Sequence, residues 1–338
     1  MCGIIIFIVC GYAVNSLSEV EMKKVGLLLS GGISKGAYQI GALEAVTEYF
    51  DPGDFCCVSA SSIGVLNTYS FITGNLSGAK GIWNSINPNG ENTHLPAMLR
   101  SDFLQETIMS IIRKEPLAIP FYMPLWNIKK GSVLYSDISR FKPGMMYTYM
   151  RAGVAMPIYN RGVEIDGATY YDGGLIDNIP IYPVSSFDMD YIICMYFDKC
   201  NYIFESYDFD KKVIKINFPS DRSILDSFRF NHAMINRMMI DGRNCAKRVL
   251  DTVFADGVDN IEAVRHHIQI VNARNKQEQK PRLTGDVVVN NLDKFMLRYA
   301  KRKIVRNGPA SDAVEVAEDK KTSGIVQTPD GKSEAEGK

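Results

Sequence analysis

The sequence predicts an α/β domain with a mostly parallel central sheet and helices on both faces. Two observations carry that prediction. Residues 25–73 run strand, glycine loop, helix, strand, sharp turn and helix, the order that produces parallel strands joined by crossover helices. Two later runs, Tyr191 to Phe197 and Lys211 to Phe218, read as further buried strands. At 338 residues the chain is long enough for a sizeable core, as one large domain or two smaller ones. Apolar residues make up 46% and charged residues 22%, the balance of an ordinary globular protein. Formal net charge is zero, so no global field argues for nucleic acid or an acidic partner. Seven scattered cysteines with no C-x-x-C pair read as reduced thiols, not as a disulfide framework or zinc ligands.

Taken in order, the chain opens with an apolar run from Gly3 to Val14. It is too short to span a bilayer comfortably, and no Lys or Arg precedes it as in a secretory signal. A weak signal, a membrane anchor and an untranslated extension stay open. The expected location is cytoplasmic, with peripheral membrane contact, anchoring or secretion also open. Met22-Lys23-Lys24 makes a natural start, so residues 1–21 are expected to be dispensable. The first strand is Val25 to Ser30, followed by Gly31-Gly32-Ile33-Ser34-Lys35-Gly36 and a helix to about Phe50. Tyr38, Gly41, Ala42, Ala45, Val46 and Tyr49 share a face of that helix, and most are small enough for close packing. A turn at Asp51-Pro52-Gly53-Asp54 leads into strand 55–59, and a helix runs from Ile63 to Thr73.

Residues 97–113 have amphipathic helical spacing. Glu115 to Trp126 is apolar but holds three prolines, which argue against a regular helix or a central strand. It reads either as lining for an acyl channel or lipid surface, or as a buried loop. Phe121, Tyr122, Leu125 and Trp126 followed by Lys129-Lys130 have the pattern of an interfacial patch. Val154 to Ile158 and Ala168 to Tyr171 read as strands around the turn Asp166-Gly167. Asp221 to about Asp256 is helical, and 259–304 is mixed helix. Arg298, Lys301, Arg302, Lys303 and Arg306 form either a headgroup-facing cluster or a solvated helix face. Residues 307–338 are polar and aromatic-free and read as a disordered tail.

Three sites carry chemistry. Ala60-Ser61-Ser62-Ile63-Gly64 has the strand–turn–helix layout of a nucleophile elbow, with Ala60 where the first glycine of G-x-S-x-G stands. The spacing to Gly64 selects Ser62 over Ser61. The glycine loop fails as a P-loop and fails G-x-G-x-x-G at Ile33, which leaves an oxyanion hole or a plain tight turn. Asp172, in Tyr171-Asp172-Gly173-Gly174, stands at the end of a strand, where open α/β sheets bind ligands; a simple Asp-Gly turn is the competing reading. A Ser-Asp-His triad of the α/β-hydrolase type would need one of His94, His232, His266 or His267. None of them lies at a strand end, and the elbow follows only the second strand, so a Ser62–Asp172 dyad fits better. A free aspartate is a weak base near neutral pH, so apolar surroundings must raise its pKa.

Taken together, these residues resemble the patatin-like phospholipases, lipid acyl hydrolases that use a Ser-Asp dyad. Four segments match in order: Leu29 to Gly41 (glycine loop and helix), Ala60 to Asn67 (elbow), Arg151 to Pro157 (the strand segment before the aspartate) and Tyr171 to Pro180 (Asp-Gly-Gly with a downstream Asn178-Ile179-Pro180). The resemblance covers residues 24–187 well. It implies a patatin-like three-layer fold, with a catalytic domain over 22–187 and the strands and helices of 188–306 packed on it. It also implies hydrolysis of lipid or phospholipid esters at a membrane or micelle surface. In that scheme Asp172 activates Ser62, amides around Gly31, Gly32 and Ile33 hold the oxyanion, and no cofactor is needed. Gly36, Gly64, Gly173 and Gly174 shape the turns. Apart from the resemblance, Lys35 reads as structural, a cation beside the loop that anchors it through carbonyls or a carboxylate. Ile33 and Ala60 depart from the family pattern. If position 33 requires a positive φ, a β-branched side chain there is strained. A lipid-binding or scaffolding homologue with an impaired site is the alternative those departures motivate. Oligomeric state is left open.

Overall fold

A computed structural model describes residues 23–86, 93–94, 102–157, 159–218 and 229–307. The N-terminal apolar run and the tail after Asn307 lie outside the described residues. By contacts the chain forms two units, Met1–Met296 and Leu297–Lys338. The first carries the sheet and the site; of the second, only the last turns of a helix are described.

The elements are β1 (Val25–Leu29), α1 (Gly36–Val46), β2 (Phe55–Ala60), α2 (Ile63–Ile72), α3 (Leu76–Ser85), β3 (Thr93–His94), α4 (Phe103–Ile111), β4 (Phe121–Asn127), β5 (Ser132–Asp137), α5 (Pro143–Gly153), β6 (Val163–Ile165) and β7 (Ala168–Asp172). They continue with α6 (Tyr182–Ser185), β8 (Tyr191–Tyr196), β9 (Cys200–Phe204), α7 (Tyr207–Asp210), β10 (Val213–Asn217), β11 (Arg229–Phe230), α8 (His232–Val253), α9 (Ile261–Arg274), β12 (Glu278–Arg282) and α10 (Thr284–Asn307). Eight strands form the central sheet in the order β10-β8-β1-β2-β4-β7-β6, with β5 also paired to β4. The run from β10 to β4 is parallel, and β5, β6 and β7 are antiparallel additions. The fold is therefore α/β with a mostly parallel sheet.

The strands alternate between two cores. On one face Val25, Leu27 and Leu29 of β1 join Tyr191, Ile193 and Met195 of β8 beneath α1, α2 and α8. On the other, Leu28, Ile192, Cys194 and Tyr196 pack against Ile179, Ile181, Val184 and Phe204. A strand buried on both faces loses the polar alternation of a half-exposed one, which is why these runs read as continuous apolar stretches. The long helices cover the first face. The second is closed by the single turn of α6, its flanking loop and β9.

Helix α1 is sheathed on nearly every side, with only Glu44 among its residues not fully buried. Its small residues admit α8 at very close range. A Cβ at Gly41 would lie 1.8 Å from the Met239 carbonyl oxygen, and one at Gly242 would lie 2.0 Å from that of Tyr38. Backbone cannot yield as a side chain tip can, so Gly41→Ala is expected to destabilise the fold by about 3 kcal/mol or more, the upper range for overpacking. Urea unfolding of this variant checks the expectation, and an unchanged midpoint would contradict the helix contact.

Several sequence expectations are corrected. The proline-bearing segment ends in a central strand, β4, with Phe121, Leu125 and Trp126 buried and no interfacial patch formed by them. Pro124 is tolerated for a geometric reason. In the antiparallel ladder with β5, Ile138 donates to the Phe121 carbonyl, so Pro124 opposite Tyr135 falls on a pair without hydrogen bonds. Its nitrogen faces the other edge of β4. That edge pairs with β2 at Phe121 and Tyr122 and with β7 from Leu125 onward, so the missing N–H falls in the gap between them. Residues 151–157 are not a strand: α5 runs to Gly153, and an irregular segment follows. The partner of β7 across Asp166-Gly167 is β6 instead. Helix α8 starts at His232; residues 219–228 lie outside the described residues. The side chains of Lys301, Arg302, Lys303 and Arg306 are not described either, while Arg298 is exposed.

Candidate active site

The topology around β4 brings the site together. Strand β2 runs toward the gap at Pro124 from one side, and antiparallel β7 runs toward it from the other. Their carboxyl ends meet on one edge of β4. Ser62 follows the end of β2 by two residues, and Asp172 is the last residue of β7. The Ser62 hydroxyl lies close enough to the Asp172 carboxyl to favour its ionised form.

Ser62 sits at φ 51°, ψ −132°, a strained turn between β2 and α2 that holds its side chain at the N-terminus of the helix. Gly64 permits this, because a Cβ there would meet the Ser30 and Leu29 carbonyl oxygens at 2.7 and 2.8 Å. Ala60 is the fully buried last residue of β2, in register with Leu29, and its φ is not positive. The methyl group in place of a glycine hydrogen therefore costs the turn little. Ser61 has a separate task. Its hydroxyl accepts from the Gly31 amide (2.7 Å) and donates to the Asn178 carbonyl (2.8 Å), tying the glycine loop to the segment after Asp172.

Asp172 is 2% exposed and accepts from the Gly174 amide at 2.8 Å. Its own amide donates to the Ala155 carbonyl, so the irregular segment after α5 does dock beside it. Burial pushes its carboxyl pKa up to about 7, against the opposing pull of the bonds from Ser62 and Gly174. Gly173 starts a 3₁₀ turn, and its carbonyl accepts from the Ile176 and Asp177 amides.

The glycine loop divides its amides. That of Gly31 is committed to Ser61 and, at 3.3 Å, to the Asn178 carbonyl, which corrects its expected place among the oxyanion donors. The amides of Gly32 and Ile33 have no acceptor among the described residues. Ile33 has φ 54°, the left-handed region expected of a glycine at that position. Lys35 is half-buried; burial lowers its ammonium pKa, and the field of Asp198 offsets part of that shift. Gly36 begins α1 and offers its carbonyl to Asn67 Nδ2 at 3.0 Å.

A buried amide chain fixes the loop from behind. Trp83 Nε1 donates to Asn67 Oδ1 (3.1 Å), Asn67 Nδ2 to Gln39 Oε1 (2.9 Å), and Gln39 Nε2 to the Ser30 carbonyl (2.6 Å). Asn178 Nδ2 donates to the Gly31 carbonyl at 3.0 Å. Gln39, Asn67 and Asn178 stood in the matched motifs without a role; Trp83 carried no signal in the sequence. A second support is a buried ion pair between Arg282 and Asp177 at 2.6 Å, with Arg282 also donating to the Ile179 carbonyl and Tyr135 to Asp177. Nothing in the sequence pointed to Arg282, which lies about a hundred residues from its partner.

Ser62 lines an apolar pocket whose walls come from α2, α3 and α4, among them Ile63, Leu66, Ile82, Trp83, Phe103 and Ile111. Ile33 and Val154 complete its rim. The proline-bearing segment lines none of it. Among the described side chains, no histidine reaches Ser62. His232 bonds the Asn84 carbonyl and Asn236, and His267 bonds the Val253 carbonyl and faces Asp256. The side chain of His94 is not described. Among the described residues, no helix is long and apolar enough to cross a membrane.

No family model matches the chain, and no curated protein does. Among solved structures it is similar to VipD from Legionella pneumophila, at 11% identity over 86% of this chain and 81% of that one, with a TM-score of 0.39. It is also similar to the type III effector protein ExoU, at 11% identity over 87% of this chain and 67% of the other, TM-score 0.38. The ExoU–SpcU complex from the type III secretion system of Pseudomonas aeruginosa aligns at 10% identity over 84% and 62%, TM-score 0.34. At these scores the likeness carries no argument about fold or function.

Proposed function

We propose that the chain is a serine hydrolase of lipid carboxylic esters, with Ser62 as nucleophile and Asp172 as general base. One observation carries the reading: a serine on a strained turn, lining an apolar pocket, lies beside a buried carboxyl whose pKa burial raises to about 7. A carboxyl tuned to that value is half-ionised at neutral pH, which suits a base that must take and return a proton. The resemblance of the four sequence motifs to the patatin-like phospholipases supports the same assignment.

In this reading the acyl chain lies in the apolar pocket and its carbonyl carbon faces Ser62 Oγ. Asp172 takes the hydroxyl proton as Oγ attacks. The Gly32 and Ile33 amides hold the oxyanion, at a typical worth of about 3–4 kcal/mol per donor. The positive end of α2 adds to that stabilisation. Collapse of the intermediate expels the alcohol, which recovers the proton from Asp172. Water, deprotonated by Asp172, then attacks the acyl-enzyme and releases the fatty acid. The strained φ of Ile33 favours this over the impaired-site alternative: the backbone keeps the loop conformation that a glycine would adopt without cost, and the strain is borne by the surrounding packing.

A fluorophosphonate probe tests the reading. Labelling of the wild-type chain and its loss in Ser62→Ala are expected. A folded wild-type chain that takes no label and hydrolyses no ester would sink it in favour of the lipid-binding alternative.

A further inference from the structure

A second, polar cleft adjoins the apolar pocket. Leu104 and Val154 line both, so the two cavities share a wall. The second has a volume of about 210 Å³ and is lined by Arg151, Arg161, Asn160 and Gln105 together with apolar residues. Two of its lining residues are cationic and none is acidic. The arginine ion pairs among the described residues belong to Arg237, Arg243, Arg265 and Arg282, so neither cleft arginine is spent on a carboxylate there. Arg151 lies over the Tyr147 ring at 5.4 Å, a cation–π contact that restrains its guanidinium. A lone arginine in the last turn of α5 is explained by the helix dipole. That explanation does not reach Arg161, which comes from the loop before β6 and faces the same cleft.

We propose that this cleft is a phosphate-binding subsite, with Arg151 and Arg161 as its ligands. The inference rests on the ester-hydrolase reading for its place in catalysis. An ester whose acyl chain fills the apolar pocket would carry its phosphate across the Leu104–Val154 wall into the cleft. Planar guanidinium forks match phosphate oxygens in pairs, and charge-assisted bonds of this kind are the stronger ones. The subsite thereby selects phosphate-bearing esters over neutral esters of the same acyl chain.

The test compares kcat/KM for dihexanoyl phosphatidylcholine with that for dihexanoylglycerol, in the wild-type chain and in Arg151→Gln and Arg161→Gln. Each substitution is expected to lower the phospholipid-to-neutral ratio by about tenfold or more, through KM more than kcat. A ratio that stays within about twofold in both variants overturns the proposal. Arg161 is exposed, so its variant stays informative if Arg151→Gln fails to fold. Calorimetric titration of folded Ser62→Ala with glycerol 3-phosphate and with inorganic phosphate is the second arm. Binding of glycerol 3-phosphate that disappears with either arginine supports the subsite, even if the wild-type chain hydrolyses nothing and the ester-hydrolase reading fails. Binding of inorganic phosphate alone, with an unmoved substrate ratio, overturns the headgroup assignment in favour of a free-anion site.

Discussion

Asp172→Asn is expected to reduce ester hydrolysis by about 10⁴-fold, toward background, while leaving the fold intact. The amide keeps the shape and the acceptor for the Gly174 N–H, but it takes no proton from Ser62. Two pH signatures accompany the loss. In the wild-type chain kcat/KM should rise with pH through about 7, because the base works only when ionised. Stability should move the other way. The folded state holds the Asp172 proton between the ordinary value of 3.8 and about 7, where the unfolded chain has released it. Fewer protons on the unfolded state mean that wild-type stability falls as pH rises through that window. Asp172→Asn has no such group to ionise, so its stability relative to the wild-type chain should improve from pH 4 to pH 7. Esterase assays and urea unfolding across that range check both trends. Substantial residual turnover in the variant would remove Asp172 from the role of base.

The second large effect belongs to a pair far from the motifs. Arg282→Met should destabilise the fold by about 3–5 kcal/mol, because it strands the fully buried Asp177 carboxylate without its cation. The damage should extend to catalysis. Asp177 precedes Asn178, whose carbonyl and side chain both hold the glycine loop at Gly31. Replacing both partners, as Asp177→Asn with Arg282→Met, should recover much of the lost stability, since no unpaired charge then remains. Denaturation of the single and double variants decides the matter. A double variant no more stable than Arg282→Met alone would mean that the cost lies in packing and not in charge.

What the sequence by itself determined is the local part. Apolar runs with both faces buried specify parallel strands whichever partners they find. A serine between such a run and a helix, a glycine loop before a helix of small residues, and an Asp-Gly-Gly strand end are all legible within a few residues, because backbone conformation there depends on near neighbours. The suspicion that position 33 needs a positive φ was equally local, and the loop adopts it at Ile33.

Only the tertiary structure decided how those pieces meet. Pro124 reads as a bar to a central strand, yet β4 is central because the proline nitrogen falls where β2 and β7 leave a gap. That same gap is where their ends converge and Ser62 reaches Asp172. The division of the loop amides, with Gly31 spent on Ser61 and on the Asn178 carbonyl, depends in part on a segment more than a hundred residues away, as does the Arg282–Asp177 pair. The pocket walls come from α2, α3 and α4, and helical spacing does not say what a helix encloses. The pKa of Asp172 belongs to this second class too. Its residue type and turn are written in the sequence, but the desolvation that makes it a usable base comes from everything packed around it.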